Sequence, residues 1–205
     1  MSKILIATSN NAKREEISYG LRDLVNEGLE ILTLKDVSIT GEPVESGDTF
    51  EENAKIKAQF YGNQVNMPVI SDDGGLMIDA LNGQPGVKSR RWPGYEATDK
   101  DLITYALEKM QNVPDHKRSA QLVTCICLYF PVTQESFCVQ EGIQGSITKE
   151  ASTWDTNGYP YRALFVVKKY NKFYDELSEA EHHHINHRLK ALRKLKKHIK
   201  EKILV

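Results

Sequence analysis

Short apolar segments alternate with amphipathic segments over the first 71 residues, and this alternation limits the possible folds more than any other feature of the chain. Residues 4–8 (ILIAT) form a continuous apolar run typical of a buried strand, and a second strand is expected near residues 29–34. Between them, apolar residues recur at helical spacing: Ile17, Leu21 and Leu24. Strands that alternate with helices predict the α/β fold class.

The same periodicity continues along the rest of the chain. It predicts helices at residues 49–62 and 99–111, one long terminal helix from Glu179 to Leu204, and strands at 67–71, 119–131, 135–142 and 163–169. Because 40% of the 205 residues are hydrophobic, the chain can bury a sizeable core. We interpret residues 1–205 as a single domain, or as two lobes that share one core.

Charge and cysteine content exclude several classes of protein. With 27 basic and 28 acidic side chains, the surface as a whole does not attract nucleic acid. The apolar runs fall far short of the ~20 residues of a membrane helix, and the N-terminal run is too short for a secretory signal. Cys125, Cys127 and Cys138 are too few for a disulfide framework, which fits a reducing cytoplasm, and we interpret Cys125 and Cys127 as small core residues.

The first candidate site is the strand–turn–helix segment IATSNNAKREEI at residues 6–17. Ser9, Asn10 and Asn11 supply polar groups in the turn, and the N-terminus of a helix favours anions. Lys13 falls in the first helical turn, where a cation opposes the helix dipole. A phosphate bound beside Lys13 would explain that placement; the alternative is an ordinary capped helix.

The second candidate lies in the predicted helix at 49–62, which begins with a capping-box pattern, Thr49-x-x-Glu52. Lys57 falls at the edge of the apolar stripe formed by Phe50, Ala54, Ala58 and Tyr61. A lysine on the buried side of a helix needs a partner, and Glu45 just ahead could pair with it or bind a metal. Alternatively, Lys57 lays its stem along apolar surface and keeps its ammonium in water.

The strongest candidate is PVISDDGGL at residues 68–76. We expect the strand to end where Asp72 and Asp73 begin, because ligands of α/β sheets bind beyond the carboxyl ends of strands. Neighbouring strand residues point to opposite faces, so the two acids should have different roles, one of them structural. Gly74 and Gly75 allow the backbone to approach a ligand, and carboxylates near phosphate typically hold Mg²⁺. The alternative is a simple Asp-Gly turn.

The C-terminal segment is basic and amphipathic. Its apolar stripe is surrounded by Lys and Arg and consists of Leu189, Leu192, Leu195, Ile199 and Ile203. Such a helix can bind RNA or a membrane surface, but we favour a terminal helix that docks on the fold and exposes a solvated face.

Four segments occur in one order: TSNNAKREEI, ESGDTFEENAKIKA, SDDGGLMIDALNGQPGVKSRRW and ELSEAEHHHINHRLKALRKL. In combination the chain resembles the inosine triphosphate pyrophosphatase family, which hydrolyses deaminated purine nucleoside triphosphates, and the resemblance covers essentially the whole chain. It implies a long mixed β-sheet flanked by helices and two lobes with a central cleft. It also implies Mg²⁺ dependence, a homodimer, a cytoplasmic location, and no nucleic-acid or membrane partner.

The resemblance also implies roles for individual residues. The catalytic residues would be Asp73 and Lys57, and the metal ligands would be Glu45 and Asp73. The substrate-binding residues would be Thr8, Ser9, Asn10, Lys13, Gly74, Arg91, Tyr159, Tyr161, Arg162, His182, His187 and Arg188.

The departures from the family pattern are concentrated on the side that reads the base. Gly74 stands where the family usually has Ser, and Arg162 stands where its base loop has Asp. His182 replaces a substrate-binding Lys, and Asn186 replaces a Ser. Aromatic stacking of the base on Tyr159 or Tyr161 would survive these changes.

The leading hypothesis is a Mg²⁺-dependent nucleoside triphosphate pyrophosphatase that acts on ITP, dITP and XTP. One alternative keeps this chemistry with a different base specificity, and another is a non-catalytic nucleotide- or RNA-binding protein. The leading hypothesis requires Glu45, Lys57 and Asp73 to lie close together in the folded chain.

Overall fold

The structure is a computed structural model that describes residues 2–153, 156 and 158–204. Its strands are β1 (Ser2–Ala7), β2 (Leu29–Thr33), β3 (Val69–Ile78), β4 (Ser119–Phe130), β5 (Glu135–Ile147), β6 (Phe165–Val167) and β7 (Lys172–Phe173). Its α-helices are α1 (Asn11–Asn26), α2 (Phe50–Val65), α3 (Asp99–Met110), α4 (Glu179–Ile185) and α5 (His187–Ile203). Short 3₁₀ segments include Gly86–Arg91 and Pro160–Leu164.

The described strands form one mixed sheet in the order β2-β1-β3-β4-β5-β6-β7. β1 pairs in parallel with β2 and β3, as expected where helices connect successive strands. β5, β6 and β7 pair antiparallel. The α/β class and the mixed sheet flanked by helices are thereby confirmed.

The chain divides into two compact units. The first unit contains the described residues of 1–73, 124–141 and 187–205. Its core packs α1 and α5 with β1, β3 and β4, and includes Ile4, Ile17, Leu21, Leu128 and Leu192. Gly20 has no room for a side chain, because a Cβ there would overlap Leu192.

The second unit contains the described residues of 74–123 and 142–186. Its core is richer in aromatic side chains and includes Trp92, Tyr161, Phe165 and Tyr174. Arg118 is buried, and no carboxylate among the described residues lies at hydrogen-bond distance from it. Its guanidinium donates instead to four backbone carbonyls, those of Met110, Val113, Ile147 and Thr148.

Helix α2 forms as its sequence predicts. Thr49 accepts a hydrogen bond from the Glu52 backbone N–H at 3.1 Å, and the Glu52 carboxylate accepts from the Thr49 N–H at 3.0 Å. This closes the capping box. The predicted apolar stripe is buried: Phe50, Ala54, Ala58 and Tyr61.

Two predicted boundaries are wrong. The strand expected at 67–71 starts at Val69 and continues through both acids and both glycines to Ile78. The two acids can lie within the strand because cations of other segments pair with them. The long terminal helix is two helices, since Asn186 leaves the helical conformation at φ −51° and ψ 115°. The acids therefore lie within a strand and not at its end.

Cys125 and Cys127 are buried in the core, as expected, but the expectation that the cysteines are reduced is wrong for Cys127 and Cys138. Cys127 and Cys138 are joined by a disulfide between the neighbouring strands β4 and β5, with their Cα atoms 4.1 Å apart. The sequence could not show this pair because it does not give the register of the two strands. Cys125 is a buried thiol, and burial raises its pKa to about 12, so it is a poor nucleophile.

None of the helices in the described residues combines the length and apolar character needed to cross a membrane.

Candidate active site

The first unit contains a lysine–carboxylate cluster formed by Glu45, Lys57 and Asp73. The Lys57 Nζ donates to Glu45 Oε2 at 3.0 Å and to Asp73 Oδ1 at 2.9 Å. The side chains of Lys57 and Asp73 are each 13% exposed, whereas that of Glu45 is 36% exposed. The three residues that the sequence hypothesis requires to be neighbours are thus in direct contact.

Burial and pairing compete in this cluster. Burial acts to lower the pKa of Lys57, but the carboxylates of Asp73 and Glu45 outweigh it and hold that pKa above its usual value. Burial raises the pKa of Asp73, and the Lys57 ammonium offsets this effect only in part. Lys57 is therefore a fixed cation, and Asp73 is a stronger base than an ordinary aspartate.

Asn53 holds the loop that carries Glu45. Its buried amide accepts from the Gly47 N–H at 2.8 Å and donates to the Gly47 carbonyl at 3.4 Å. A Cβ on Gly47 would lie 2.6 Å from the Glu52 Cβ, so only glycine fits this close approach to the start of α2. The loop before α2 is therefore tied to the helix that presents Lys57.

Asp72 belongs to a separate group, the Asp72 cluster, formed with Lys13, Glu16, Thr124 and Arg188. Arg188 Nε donates to Asp72 Oδ2 at 2.9 Å, and Arg188 Nη1 donates to Glu16 Oε2 at 2.7 Å. Thr124 donates to Asp72, and Lys13 forms an ion pair with it. Burial acts to raise the pKa of Asp72, but Arg188 and Lys13 outweigh it and hold that pKa far below its usual range.

The Asp72 cluster accounts for the position of Lys13 in the first turn of α1. Its ammonium is neutralised by Asp72, so the helix dipole alone does not decide its energy. The turn before the helix is ordered by its own side chains. Thr8 Oγ1 accepts from the Asn10 N–H at 3.2 Å, and Asn10 Oδ1 accepts from the Lys13 N–H at 3.1 Å as the helix N-cap. Ser9 is exposed.

Sequence reasoning did not identify Glu16 and Thr124 as members of this cluster. Glu16 lies three residues after Lys13 and so shares its face of α1, which was a usable signal. Thr124 lies in an apolar strand and gave no signal. His187 and Arg188 are both buried at the start of α5.

A divalent metal fits the lysine–carboxylate cluster in its ligand chemistry. Glu45 and Asp73 converge on one cation, the Lys57 ammonium, and Mg²⁺ prefers such carboxylate oxygens. No group of three or more His, Cys, Asp or Glu side chains within the described residues is arranged to hold a metal ion. Two carboxylates suit Mg²⁺, which usually completes its coordination with water and substrate phosphate.

In the second unit, the segment 86–92, here termed the Arg91 turn, carries the predicted phosphate-binding arginine. Arg90 Nη2 donates to Asp99 Oδ1 at 2.7 Å, so this arginine is already paired. The Arg91 side chain is exposed and makes no hydrogen bond or ion pair within the described part of the chain. Of the two neighbouring arginines, Arg91 is therefore the one available to an anion.

The segment 159–164, here termed the base loop, carries the predicted base-reading residues. The Arg162 guanidinium lies 3.9 Å from the Tyr159 ring centroid and 4.3 Å from that of Tyr174, and Nη1 lies 3.4 Å from Asp175 Oδ1. His182 packs edge-to-face on Tyr174, with ring centroids 4.6 Å apart. The Tyr161 ring is only 6% exposed and its hydroxyl donates to a backbone carbonyl, so Tyr161 offers little surface for stacking a base.

The basic terminal helix docks by its apolar stripe, as expected, and its lysines are largely paired. Within the first unit, Lys194, Lys196, Lys200 and Lys202 contact Glu141, Asp23, Glu27 and Glu135, respectively, at 2.6–2.8 Å. This neutralisation removes much of the positive surface that RNA binding would need.

Comparison with known proteins agrees with this geometry. The Ham1 family model matches residues 4–198. A dITP/XTP pyrophosphatase of Bacillus licheniformis is 37% identical over 195 residues, which cover 95% of this chain and 96% of the relative. A HAM1 protein of Coxiella burnetii has a similar structure, with a TM-score of 0.85 and 33% identity over 98% of this chain and 100% of that one. The Ham1 protein of Staphylococcus aureus aligns with a TM-score of 0.82 and 30% identity, covering 98% of this chain and 99% of that one.

The chain is thus an α/β protein with a mixed sheet, and the curated relatives that it matches over nearly its whole length are named dITP/XTP pyrophosphatases. This chain belongs to the Ham1 family. The family resemblance drawn from the sequence motifs is confirmed.

Proposed function

We propose that this chain is a nucleoside triphosphate pyrophosphatase that converts ITP, dITP and XTP to the monophosphate and pyrophosphate. The observation that carries the proposal is the contact of one partly buried ammonium, Lys57 Nζ, with two carboxylates, Glu45 and Asp73. Curated relatives that share more than a third of its residues over nearly the whole chain are dITP/XTP pyrophosphatases.

Asp73 is proposed to orient a water molecule and to accept its proton while the water oxygen attacks the α-phosphorus. The bond between the α-phosphorus and the oxygen that bridges to the β-phosphate breaks, and pyrophosphate leaves. The raised pKa of Asp73 supports this role because it makes the carboxylate a better proton acceptor. No covalent intermediate is required.

Glu45 and Asp73 are the residues that would hold Mg²⁺. When bound, the ion would neutralise charge on the triphosphate and on the leaving pyrophosphate. Lys57 fixes both carboxylates in place before substrate arrives, so little reorganisation is needed at the moment of reaction.

The remaining cations are proposed to bind the triphosphate. Lys13 is held by its ion pair with Asp72. It lies in the first turn of helix α1, directly after the Thr8–Asn10 turn, and the N-terminus of a helix favours anions. Arg91 supplies an exposed guanidinium without a competing carboxylate within the described residues. His187 and Arg188 are proposed to support the site from within the core, because both are buried.

The test is release of pyrophosphate from a panel of nucleoside triphosphates, with and without Mg²⁺. The proposal expects cleavage of ITP, dITP and XTP that depends on the metal and is lost in Asp73→Asn. Absence of cleavage for every nucleotide, or full turnover by Asp73→Asn, contradicts it.

A second candidate keeps the chemistry and changes the base specificity. It is supported by Arg162, which brings a guanidinium to a position where the family pattern has a carboxylate and stacks it on Tyr159. An arginine donates hydrogen bonds and cannot accept them, so it favours bases that present acceptor atoms. Comparison of kcat/KM for ITP, XTP, dUTP and the common nucleotides decides between the candidates, since a strong preference for ITP or XTP rejects the second.

The family resemblance also supports a homodimer and a cytoplasmic location, with residues 1–205 acting as one domain. Light scattering on the purified protein measures the first of these properties, and cell fractionation measures the second.

A further inference from the structure

The Arg91 turn contains a backbone conformation that few residues adopt. Ser89 has φ +30° and ψ −102°, in the range that favours glycine. A residue held there must be fixed by its surroundings, since the conformation is unfavourable by itself. The contacts that fix Ser89 also determine where the chain two residues later presents Arg91.

Tyr161 of the base loop makes one of these contacts. Its hydroxyl donates to the Ser89 carbonyl at 3.0 Å. Burial raises the pKa of the phenol, so the hydroxyl keeps the proton that it donates. The Tyr161 ring packs against Trp92, with ring centroids 6.2 Å apart, and the Trp92 indole N–H donates to Gln84 Oε1 at 3.1 Å.

The rest of the Arg91 turn is anchored on either side of Arg91. Arg90 is held by its ion pair with Asp99, and its carbonyl accepts from the Ala97 N–H at 3.0 Å. The Gly94 N–H donates to the Arg91 carbonyl at 3.0 Å. The backbone is therefore fixed around a side chain that remains exposed, which is how a binding residue is prearranged.

We propose that Tyr161 is a positioning residue that connects the base loop to the Arg91 turn and so holds Arg91 in place for the triphosphate. This inference rests on the proposed pyrophosphatase function. It replaces base stacking as the role of Tyr161, and it joins the loop that carries Arg162 to the arginine that binds phosphate.

Loss of the Tyr161 hydroxyl should weaken this connection without unfolding the unit. The Ser89 carbonyl also accepts from the Trp92 N–H at 3.2 Å, so it keeps one partner. The ring of the Phe variant still fills its place against Trp92. The effect should therefore be a looser Arg91 turn, and it should be visible only while Arg91 is present.

The experiment is a double-mutant cycle with Tyr161→Phe and Arg91→Met, read as kcat and KM for ITP with Mg²⁺. We expect Tyr161→Phe to lower kcat/KM by about fivefold, which corresponds to the loss of one hydrogen bond. The change should lie in kcat or in KM according to which of the two Arg91→Met changes. In the Arg91→Met background, Tyr161→Phe should have no further effect, because it acts through Arg91.

Tyr129→Phe is the matched control. Tyr129 is also a buried tyrosine, and its hydroxyl donates to Asn63 Oδ1 at 2.9 Å in the first unit. Neither Tyr129 nor Asn63 is among the proposed site residues. It should lower the melting temperature by a similar amount and leave kcat and KM unchanged.

Two results would overturn the inference: full activity of Tyr161→Phe, or a loss that multiplies with that of Arg91→Met. Failure of the proposed function gives a different result, since the wild-type protein would then release no pyrophosphate from any nucleotide.

Discussion

The two faces of strand β3 carry adjacent aspartates whose pKa values are shifted in opposite directions. Asp72 is fully buried, is paired with Lys13 and Arg188, and has a pKa far below its usual range. Asp73 remains 13% exposed, is paired with Lys57, and has a raised pKa. Because one strand positions both, a single backbone segment supplies a permanent anion to the core and, on its other face, the proposed proton acceptor.

The comparison shows that burial alone does not decide the role of an acid. Both carboxylates lose water, but Asp72 receives two cations and a hydroxyl. Asp73 instead pairs with Lys57, whose ammonium it shares with Glu45. A carboxylate whose desolvation is fully compensated stays ionised and inert, and one that is compensated in part becomes basic. Variants of the two aspartates test whether the two faces can be separated experimentally.

The largest expected effect is on catalysis. Asp73→Asn should lower kcat by about 10²–10⁴-fold, because it removes the proposed general base. The free energy of unfolding should not fall. A raised carboxyl pKa means that ionised Asp73 disfavours the folded state at neutral pH, so a neutral amide removes that cost. Pyrophosphate release and urea unfolding measure the two quantities.

Asp79→Asn is the control for this variant. Asp79 directly follows β3 and is exposed, with Ser119 as its partner. It should keep full activity. If the Asp73→Asn protein turns over at the wild-type rate, the proposed catalytic role of Asp73 is wrong.

The next effect is on stability. Asp72→Asn should lower the free energy of unfolding by about 3 kcal/mol, because it leaves Lys13 and the buried Arg188 with too little negative charge. Urea denaturation measures the change. Asp23→Asn breaks an exposed pair with Lys196 and should cost less than about 1 kcal/mol, which provides the matched control. Equal losses of unfolding free energy in the two variants would show that the buried Asp72 cluster stabilises the fold no more than an exposed ion pair does.

A third prediction concerns acid. The pKa of Asp72 is lower in the folded than in the unfolded chain, so its stabilising contribution is complete above the unfolded value of about 3.9 and is lost as the pH falls below it. The wild-type protein should lose stability between about pH 5 and pH 2 more steeply than Asp72→Asn. Parallel curves of unfolding free energy against pH for the two proteins would contradict this.

Patterns of short range predicted most of the fold. The apolar runs of β1, the capping box of α2 and the stripe of α5 follow from residues close together in the sequence, and each is confirmed. The end of β3 was misplaced because acids and glycines normally end a strand. Here the cations of other segments compensate the acids, and no local pattern contains that information.

The site divides in the same way. Lys57 could be singled out from its own helix, because a lysine beside an apolar stripe needs a partner. The partners of Asp72 could not be identified from the sequence. Arg188 lies 116 residues away and reaches Asp72 only in the folded chain. The base loop shows the same limit. The sequence predicts base stacking on Tyr159 or Tyr161 without distinguishing them, and the burial of Tyr161 against Trp92 is visible only in the fold.

The smallest expected effect is on base specificity. It tests whether the base loop of the second unit acts on specificity alone, independently of the reaction at Asp73 on β3. Arg162→Met should reduce the ratio of kcat/KM between the best and the poorest nucleotide by about tenfold, the order of one or two hydrogen bonds to a charged group. Turnover of the poorest nucleotide should be unchanged, since Asp73 and Lys57 are intact. Arg162→Lys keeps the charge but loses the planar group that lies on Tyr159, so a ratio restored by lysine would assign the effect to charge alone. If Arg162→Met instead lowers kcat equally for every nucleotide, Arg162 acts on the reaction itself. The Asp73 face of β3 would then not be the sole determinant of turnover, and the base loop would not act on specificity alone.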